Sequence, residues 1–423
     1  MSTSNGRGLV IGTGVALSAL AVAAWFVTRE TQPPALNRGG TLTVARAMGS
    51  GTQGMEGYAR AFEPRAFHFP EDHGPHPEFR TEWWYWTGNL ETTDGRAFGY
   101  QFTLFRNALT PDAPARASAW GARQVYLGHF TVTDVSAGKF HASERYSREA
   151  LGLAGAAAQP FKVWLEDWEA TSVGEGMWPV RLRARTKDVT LELLLEPGKA
   201  PVLEGDRGLS QKSEEPGNAS YYYSMTRMPS QGTVQLDGQT YAVTGESWMD
   251  REWSTSALGQ GQVGWDWFSL QLSDGSELMY YQLRHEDGTV DAFSSGTWVP
   301  PASAADSAPL HLKREDVELT VLDTWKSPRG GEYPSRWKLR VAKLGLELTA
   351  TPKVSDQELV VSVRYWEGAV SLDGTRQGQP VKGRGYVELT GYADTGASAR
   401  GPGTRARGTP ESQGRPSPEP SRP

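Results

Sequence analysis

The sequence predicts an all-β protein made of two successive antiparallel β units, each folded as a barrel or a sandwich. Three observations lead to this prediction. The 423 residues include 48 Gly, 27 Pro and 16 Trp, a composition typical of strands and turns. Few long apolar runs at helical spacing occur in the body of the chain. Two stretches of the chain also resemble each other at both ends, which indicates a duplicated unit.

Strands are indicated wherever apolar or β-branched residues alternate with polar ones. Four such runs are residues 98–106, 181–196, 268–272 and 358–365. We find no convincing long helix. Antiparallel strands of this kind fold into barrels or sandwiches, which protect their edges.

The duplication is marked at the start of each unit by two tryptophans and a turn. WYW (84–86) leads to the turn Asp94-Gly95, and WDW (265–267) leads to the turn Asp274-Gly275. The separations from the first tryptophan are ten residues (94 − 84) and nine (274 − 265). Such similar spacing predicts equivalent hairpins.

A second pair of landmarks lies near the end of each unit. GTVQLDG (232–238) precedes VTGESWMD, and GAVSLDG (368–374) precedes VKGRGYVE. This alignment matches Asp250 with Glu388. The landmarks, together with the composition of the two ends, predict these parts: a leader that is a signal peptide or membrane anchor (1–30), a linker (31–61), the first unit (62–254), a linker (255–262), the second unit (263–394) and a disordered tail (395–423).

The leader carries an apolar segment, residues 9–27, between Arg7 and Arg29. Its length suits one membrane-spanning helix or an export signal. Ala21-Val22-Ala23 offers a cleavage site, but Trp25-Phe26-Val27 prolong the apolar run and favour an uncleaved anchor. Either outcome predicts an exported protein, at the periplasmic side of the inner membrane or outside the cell.

Composition excludes several classes of function. No Cys is present, so disulfides, thiolate metal sites and cysteine nucleophiles are excluded. The formal net charge of −6 argues against a nucleic-acid partner. No Gly-rich phosphate loop follows a predicted strand and no serine nucleophile motif is present, so we expect neither a nucleotide cofactor nor a serine hydrolase.

Alternate residues of a strand face opposite ways, so Trp84 and Trp86 share one face while Trp83 and Tyr85 share the other. One face can fill the barrel while the neighbouring unit covers the other, or one face can line a cavity for an apolar ligand. The candidate ligand-binding residues are Trp84, Trp86, Trp248, Trp253, Trp265 and Trp267.

Carboxyl groups among these tryptophans are the candidate catalytic residues. Burial raises the pKa of a carboxyl group and fits it to donate a proton to an alkene, while aromatic faces stabilise the resulting cation. Asp250 and Glu252 share one face of an extended chain with Trp248, and Asp266 lies between two tryptophans. Alternatively, Asp250 and Glu252 pair with an arginine such as Arg251 or Arg227 in a structural bridge.

Two further clusters have structural explanations. Asp72, His73, His76 and Glu78 lie close together, but Gly74, Pro75 and Pro77 prevent a helix that could present them to a metal, and a rigid loop closing one barrel end is favoured. We therefore predict no metal site. Glu82 and Arg80 share a face with Trp84 and could form a buried pair.

The segment FHFPEDHGPHPEFRTEWWYWTGNL (67–90), with GESWMDREWS (245–254) and YWEGAVSLDG (365–374), resembles the CrtC/AttH-like lipocalin family. The family includes carotenoid 1,2-hydratases and, more distantly, kievitone hydratase and fungal Diels–Alderases. The resemblance covers residues 62–392 and implies two tandem lipocalin-like (calycin) units with the ligand site in or between them. Of the hydratase pattern, Asp250 and Trp253 match, whereas Met249 replaces a His and Glu252 replaces an Asn.

Two classes of function follow. The first is an exported, membrane-tethered protein that binds a hydrophobic ligand (a lipid, an isoprenoid or a polyketide-like small molecule) and serves an ABC transporter permease. The second is an enzyme that hydrates, isomerises or cyclises an apolar alkene, with Asp250 as the acid. A purely structural role in a membrane complex is a third interpretation.

Overall fold

The computed structural model describes residues 55–111, 121–256, 258–304 and 308–393. This part of the chain is nearly all β, as predicted, and is built of two curled antiparallel sheets. The only helices in the described ranges are four single 3-10 turns, at Glu71–His73, Ala150–Gly152, Arg314–Asp316 and Ala342–Leu344.

The first sheet contains thirteen strands. They are β1 (Thr81–Glu91), β2 (Ala97–Ala108), β3 (Gln124–Asp134), β4 (Lys139–Arg148), β5 (Ala154–Ala158), β6 (Phe161–Leu165), β7 (Trp168–Ser172), β8 (Val180–Arg185), β9 (Val189–Leu195), β10 (Val202–Leu203), β11 (Leu209–Gln211), β12 (Ala219–Leu236) and β13 (Gln239–Ser254). Their order is β4-β3-β2-β1-β13-β12-β9-β8-β7-β6-β5, and β10 and β11 also pair with β12.

The second sheet contains ten strands. They are β14 (Gln262–Leu272), β15 (Glu277–His285), β16 (Ser295–Val299), β17 (Leu310–Lys313), β18 (Glu318–Lys326), β19 (Glu332–Val341), β20 (Leu346–Pro352), β21 (Glu358–Val360), β22 (Arg364–Arg376) and β23 (Gln379–Leu389). Their order is β17-β16-β15-β14-β23-β22-β20-β19-β18, and β21 pairs with β22.

The order of strands supports the duplication. Nine neighbouring strands of the second sheet, from β17 to β18, repeat the connectivity of the nine from β4 to β7 in the first. The first sheet then continues with β6 and β5. The predicted strand at 98–106 lies within β2 and the one at 268–272 within β14. The run 181–196 forms the hairpin β8–β9, and the run 358–365 is divided between β21 and β22.

The alignment of the tryptophans is wrong by one residue. The two turns are equivalent, but Trp86 lies eight residues before Asp94 (94 − 86) and Trp267 lies seven before Asp274 (274 − 267). An odd difference places two strand residues on opposite faces. Trp86 accordingly packs inside the first sheet, whereas Trp267 packs between the two sheets. When the two turns are aligned, Thr87 is the residue of the first unit that is equivalent to Trp267 of the second.

The second landmark is displaced as well. Asp237-Gly238 forms a hairpin turn, in which both residues have positive φ (49° and 82°). Asp373-Gly374 does not, because β22 continues to Arg376 and turns at Gln377-Gly378. Gly374 has a different role: a Cβ there would lie 2.0 Å from the carbonyl oxygen of Glu347 on β20. The glycine therefore permits close approach of two strands.

This displacement changes which residue of the second unit is equivalent to Asp250. On β13, Trp248 lies opposite Thr87, and on β23, Glu388 lies opposite Trp267. The alignment of Asp250 with Glu388 is therefore two residues out. Since two is an even number, both carboxyl groups still face the same side of their sheets.

Each sheet curls around its own apolar core. The first core includes Trp84, Trp168 and Leu191, and the second includes Trp337, Trp366 and Leu348, all of which are fully buried. Two further clusters of aromatic and apolar residues lie between the sheets. The space between the sheets is thus lined by side chains from both units.

The predicted leader (1–30) and tail (395–423) lie outside the described residues, as does most of the linker 31–61. Over the part of the chain that the structure describes, no helix is long and apolar enough to cross a membrane.

Candidate functional site between the two sheets

A pocket lies between the two sheets and holds about 690 Å³ of atom-free space, including its open mouth. From the first sheet it is lined by Trp83, Tyr85, Phe105, Tyr222, Asp250 and Glu252. From the second sheet it is lined by Trp265, Trp267, Tyr281, Leu283, Tyr365 and Glu388. Lys212 completes the wall. Aromatic surfaces with a few polar groups are typical of sites for apolar ligands.

The alternation predicted for β1 is confirmed. Trp83 and Tyr85 face the second sheet and reach the pocket, while Trp84 and Trp86 point into the first sheet and are fully buried there. The indole Nε1 of Trp84 donates to the carbonyl oxygen of His73 at 2.9 Å. Trp84 and Trp86, proposed from the sequence as ligand-binding residues, therefore lie behind the pocket wall.

On β13, Trp248, Asp250 and Glu252 share the face that points towards the second sheet, as predicted. Trp253 faces the opposite way, where its ring stacks on His76 with the centroids 3.8 Å apart. Trp248 packs beside the pocket and does not line it. Of the four predicted ligand-binding tryptophans of the first unit, none therefore forms the pocket surface.

Asp250 is a buried carboxyl group, with 3% of its surface exposed. Its Oδ1 accepts from the Ser224 hydroxyl and from Nε1 of Trp248, both at 2.6 Å, and its Oδ2 accepts from the Tyr222 hydroxyl at 2.5 Å. Burial raises the pKa of Asp250 to about 7, although the three donors act to lower it. All three donors are neutral, so no hydrogen-bonded cation holds the carboxyl group in its charged form, and both its protonated and its charged forms are present near neutral pH.

Glu252 has a different partner from Asp250. It forms an ion pair with Lys212 at 3.1 Å and accepts from the Ser220 hydroxyl. The arginines suggested from the sequence pair elsewhere: Arg251 with Glu82, and Arg227 with Glu246 and Glu277. The predicted structural bridge through Asp250 and Glu252 is therefore not formed by these arginines.

Asp266 does not share the pocket, contrary to the expectation from its position between two tryptophans. Trp265 and Trp267 line the pocket, so the residue between them points into the second sheet. There Asp266 pairs with Arg284 at 2.9 Å and accepts from the Tyr392 hydroxyl at 3.0 Å. Its role in the structure is to anchor the interior of the second unit.

The second sheet supplies carboxyl groups of its own. Glu388 lies on the pocket wall and is the direct cross-strand neighbour of Glu367. The Tyr85 hydroxyl of the first sheet donates to Oε1 of Glu367 at 2.5 Å. Burial raises the pKa of Glu388 to about 8, and burial together with Glu388 raises that of Glu367 well above its usual value. Acidic groups from both units thus meet in one space.

Asp72, His73 and His76, three of the residues with metal-ligand side chains, are buried against the first sheet. Oδ2 of Asp72 accepts from the backbone of His68 at 2.6 Å, and its Oδ1 lies 3.0 Å from Nε2 of His76. Glu82 is paired with Arg106 and Arg251, so the suggested pair with Arg80 is replaced by a buried triad. The described ranges contain no group of three or more His, Asp or Glu side chains that could hold a metal ion.

Several residues of the pocket escaped prediction from the sequence. Lys212 lies in no motif, and Tyr365 begins the stretch YWEGAVSLDG (365–374), where nothing in the sequence distinguishes it as a pocket residue. Tyr222 and Tyr281 lie in the tyrosine runs 221–223 and 280–281, which are more typical of the core or rim of a sheet than of a ligand site. Their approach depends on how the two sheets pack, which no spacing along the chain reveals.

Comparison with known proteins gives one family and several relatives. The family model described as AttH-like matches residues 60–392. The crystal structure of an AttH protein from Nitrosomonas europaea is 34% identical, with a TM-score of 0.70, over 79% of this chain and 99% of that one. Kievitone hydratase from Nectria haematococca shares the fold, with a TM-score of 0.60, 18% identity, and coverage of 80% of this chain and 97% of that one.

A curated relative is kievitone hydratase from Fusarium solani subsp. phaseoli. It is 23% identical over 219 residues, which are 49% of this chain and 59% of that protein. The alignment therefore spans about three-fifths of the relative's length.

Proposed function

Because the chain belongs to the AttH-like family, we propose that it binds a hydrophobic alkene in the pocket between its two sheets and adds water to the double bond. The similarity to kievitone hydratase supports a hydratase-type reaction. The observation that carries the proposal is Asp250, a buried carboxyl group on an aromatic wall whose three hydrogen-bond donors are all neutral.

Hydration of an alkene begins with proton transfer to carbon. The O–H bond of protonated Asp250 breaks as a C–H bond forms from the π electrons, which leaves a carbocation and an Asp250 carboxylate. A pKa near 7 allows the group to carry a proton in neutral solution and still release it. A water molecule then adds to the cation through oxygen and loses one proton, which gives the alcohol.

The walls of the pocket suit the cation. Trp83, Trp265 and Trp267 present aromatic surface to the same space as Asp250. The faces of aromatic rings attract cations, most strongly where water is excluded. The Trp267 indole Nε1 also donates to the Tyr222 hydroxyl at 3.2 Å, so the ring is linked to the group that holds Asp250.

A second candidate function is binding without turnover. Both oxygens of Asp250 already accept hydrogen bonds, which would hold the carboxyl group in place as part of the wall. In this case the protein would carry a lipid or another hydrophobic molecule. Export, a membrane tether and service to a transporter, as predicted from the sequence, belong to this candidate function.

The test is hydration in ¹⁸O-labelled water of three alkenes: kievitone, geraniol and lycopene. We expect at least one compound to gain one labelled water, as measured by mass spectrometry. Asp250→Asn should lower the rate at least about a hundredfold, because the amide cannot act as the acid. Binding, followed by tryptophan fluorescence, should change little.

Asp266→Asn is the matched control, because it makes the same change at a buried site that the structure places outside the pocket. Its thermal unfolding is measured to confirm that it is folded. It should retain the rate of the unaltered protein. Binding of the compounds without labelled product would favour the second candidate, and hydration by Asp250→Asn at the full rate would exclude Asp250 as the acid.

A further inference from the structure

Three side chains connect the pocket with the surface of the first sheet. Tyr365, on the pocket wall, places its hydroxyl 2.9 Å from Nδ1 of His129. Nε2 of the same ring lies 3.2 Å from Oε2 of Glu144. This hydrogen-bonded chain of three side chains runs from β22 of the second sheet to β3 and β4 of the first.

The hydrogen bonds run in one direction. Burial, followed by the effects of Glu367 and Glu388, raises the pKa of Tyr365 well above its usual value, so its hydroxyl keeps its proton and can donate to an unprotonated Nδ1. Burial would raise the pKa of Glu144, but hydrogen bonds from His129 and Ser362 outweigh it and the pKa is lowered. Glu144 is therefore a carboxylate that accepts from the Nε2 proton of His129.

Tyr365 and His129 are shielded from solvent, whereas Glu144, at the outer end of the hydrogen-bonded chain, is partly exposed. His129 and Tyr365 are 1% and 2% exposed, and the edge of Phe105 lies against the imidazole with the ring centroids 5.5 Å apart. The side chain of Glu144 is 12% exposed. It accepts from the hydroxyl of the exposed Ser362 at 2.6 Å.

His129 and Glu144 are held by the sheet itself. They are direct partners in the register of β3 and β4, so their side chains lie side by side on one face. Tyr365 lies near the start of β22 and packs with Phe105 and Leu127 of the first sheet. A chain of groups that each donate and accept in turn can pass a proton without moving far.

We propose that Tyr365, His129 and Glu144 form a path that carries a proton from the pocket to solvent, with Tyr365 as the acid–base group at the pocket end. The inference rests on the proposed hydration and adds the acceptor that this reaction needs. Asp250 supplies the proton that goes to carbon, and Tyr365 receives the one that the added water loses.

The transfer balances at each atom. As the water oxygen bonds to the cation, one of its O–H bonds breaks and the proton passes to the Tyr365 oxygen. The phenolic proton of Tyr365 passes to Nδ1 of His129, the Nε2 proton passes to Glu144, and Glu144 releases a proton to solvent. The original donors are restored by transfer in the reverse direction: Glu144 takes a proton from solvent and passes one to Nε2, the Nδ1 proton returns to Tyr365, and the phenolic proton passes to water in the pocket. Asp250 takes up a proton from water that enters when the product leaves.

Tyr365→Phe and His129→Ala test the path with whichever compound of the hydration assay reacts. Both should lower kcat, on the order of a hundredfold, with KM little changed. Imidazole in solution should restore part of the kcat of His129→Ala. The control is Tyr386→Phe, the same change at a phenol that is 1% exposed between the sheets and does not line the pocket. It should keep most of the activity.

A kcat for Tyr365→Phe within about twofold of the Tyr386→Phe control would overturn the path, since general acid–base groups contribute far more. If none of the three compounds is hydrated even by the unaltered protein, the proposed function fails separately. The path is then decided by ¹⁵N NMR of labelled histidine. We expect a proton on Nε2 of His129, and an Nδ1 resonance that shifts in Tyr365→Phe. A proton on Nδ1 in the free protein would overturn the path.

Discussion

Replacing Glu82 by alanine is expected to lower the free energy of unfolding by about 3–5 kcal/mol, because it leaves buried positive charge unpaired. Glu82, Arg106 and Arg251 are all fully buried. Glu82 pairs with both guanidinium groups and accepts from the backbone of His76 at 3.1 Å. Burial alone would raise the pKa of Glu82, but Arg251 and Arg106 outweigh it and keep the carboxylate charged.

The measurement is urea unfolding at neutral pH. Glu318→Ala serves as the matched control, because the ion pair of Glu318 with Arg340 is exposed on both sides and should contribute no more than about 1 kcal/mol. A loss of less than about 1 kcal/mol for Glu82→Ala would contradict this expectation and show that water reaches the triad in the folded protein.

The stability of the protein should fall as pH rises from about 6.5 to 8, because buried acids keep their protons in the folded state. Burial raises the pKa of Asp250 to about 7, and that of Glu388 and Glu204 to about 8. In the unfolded chain these groups lose their protons near pH 4. The folded state therefore binds more protons in this window, and rising pH favours unfolding, by up to about 1.4 kcal/mol per pH unit for each group.

His73 sets the lower limit of the pH range in which the stability falls as pH rises. Burial, helped by Arg251, lowers the pKa of His73 to about 4, so only the unfolded chain takes up this proton below about pH 6.5. Stability from His73 is lost as pH falls, which opposes the effect of the acids. Above about pH 6.5 the histidine no longer contributes and the acids decide the slope.

Asp250→Asn measures the contribution of Asp250 to the change of the free energy of unfolding with pH. The amide resembles the protonated acid, so the variant should lose less stability than the unaltered protein between pH 6.5 and 8. Urea unfolding at several pH values measures the difference. Equal slopes in the two proteins would mean that Asp250 is already ionised when folded at the low end of this range.

Local rules of strand geometry explain what could be predicted. The two-residue period separates Trp83 and Tyr85 from Trp84 and Trp86, and it places Trp248, Asp250 and Glu252 together. These relations hold within one strand and need no knowledge of its neighbours. The two-residue period does not show which face of the strand packs against the other unit. The ligand-binding role suggested for Trp84 required its face to be that one.

Register explains the predictions that were wrong. The tryptophans of WDW (265–267) are similar to those of WYW (84–86), but they are one residue closer to the turn and so face the opposite side. Asp266 is a candidate from the sequence because it lies between two tryptophans, but it points into the interior of the second sheet and pairs with Arg284. The two motifs contain similar residues, but equivalent tryptophans lie on opposite faces of their sheets.

Contacts between the two sheets lie beyond sequence reasoning of this kind. Tyr365 and His129 are 236 residues apart and belong to different units, yet their side chains share a hydrogen bond. Their meeting depends on the packing of one curled sheet on the other. The same packing gathers Asp250 and Glu388 into one pocket.

The central claim is that burial in the pocket raises the pKa of Asp250 to near neutrality, and titration of this carboxyl group by ¹³C NMR tests it most directly. Protein labelled at the aspartate carboxyl carbon is titrated between pH 3 and 9, and the resonance is assigned by its loss in Asp250→Asn. We predict a midpoint near 7. A midpoint near 4, the value of an aspartate in water, would contradict the account.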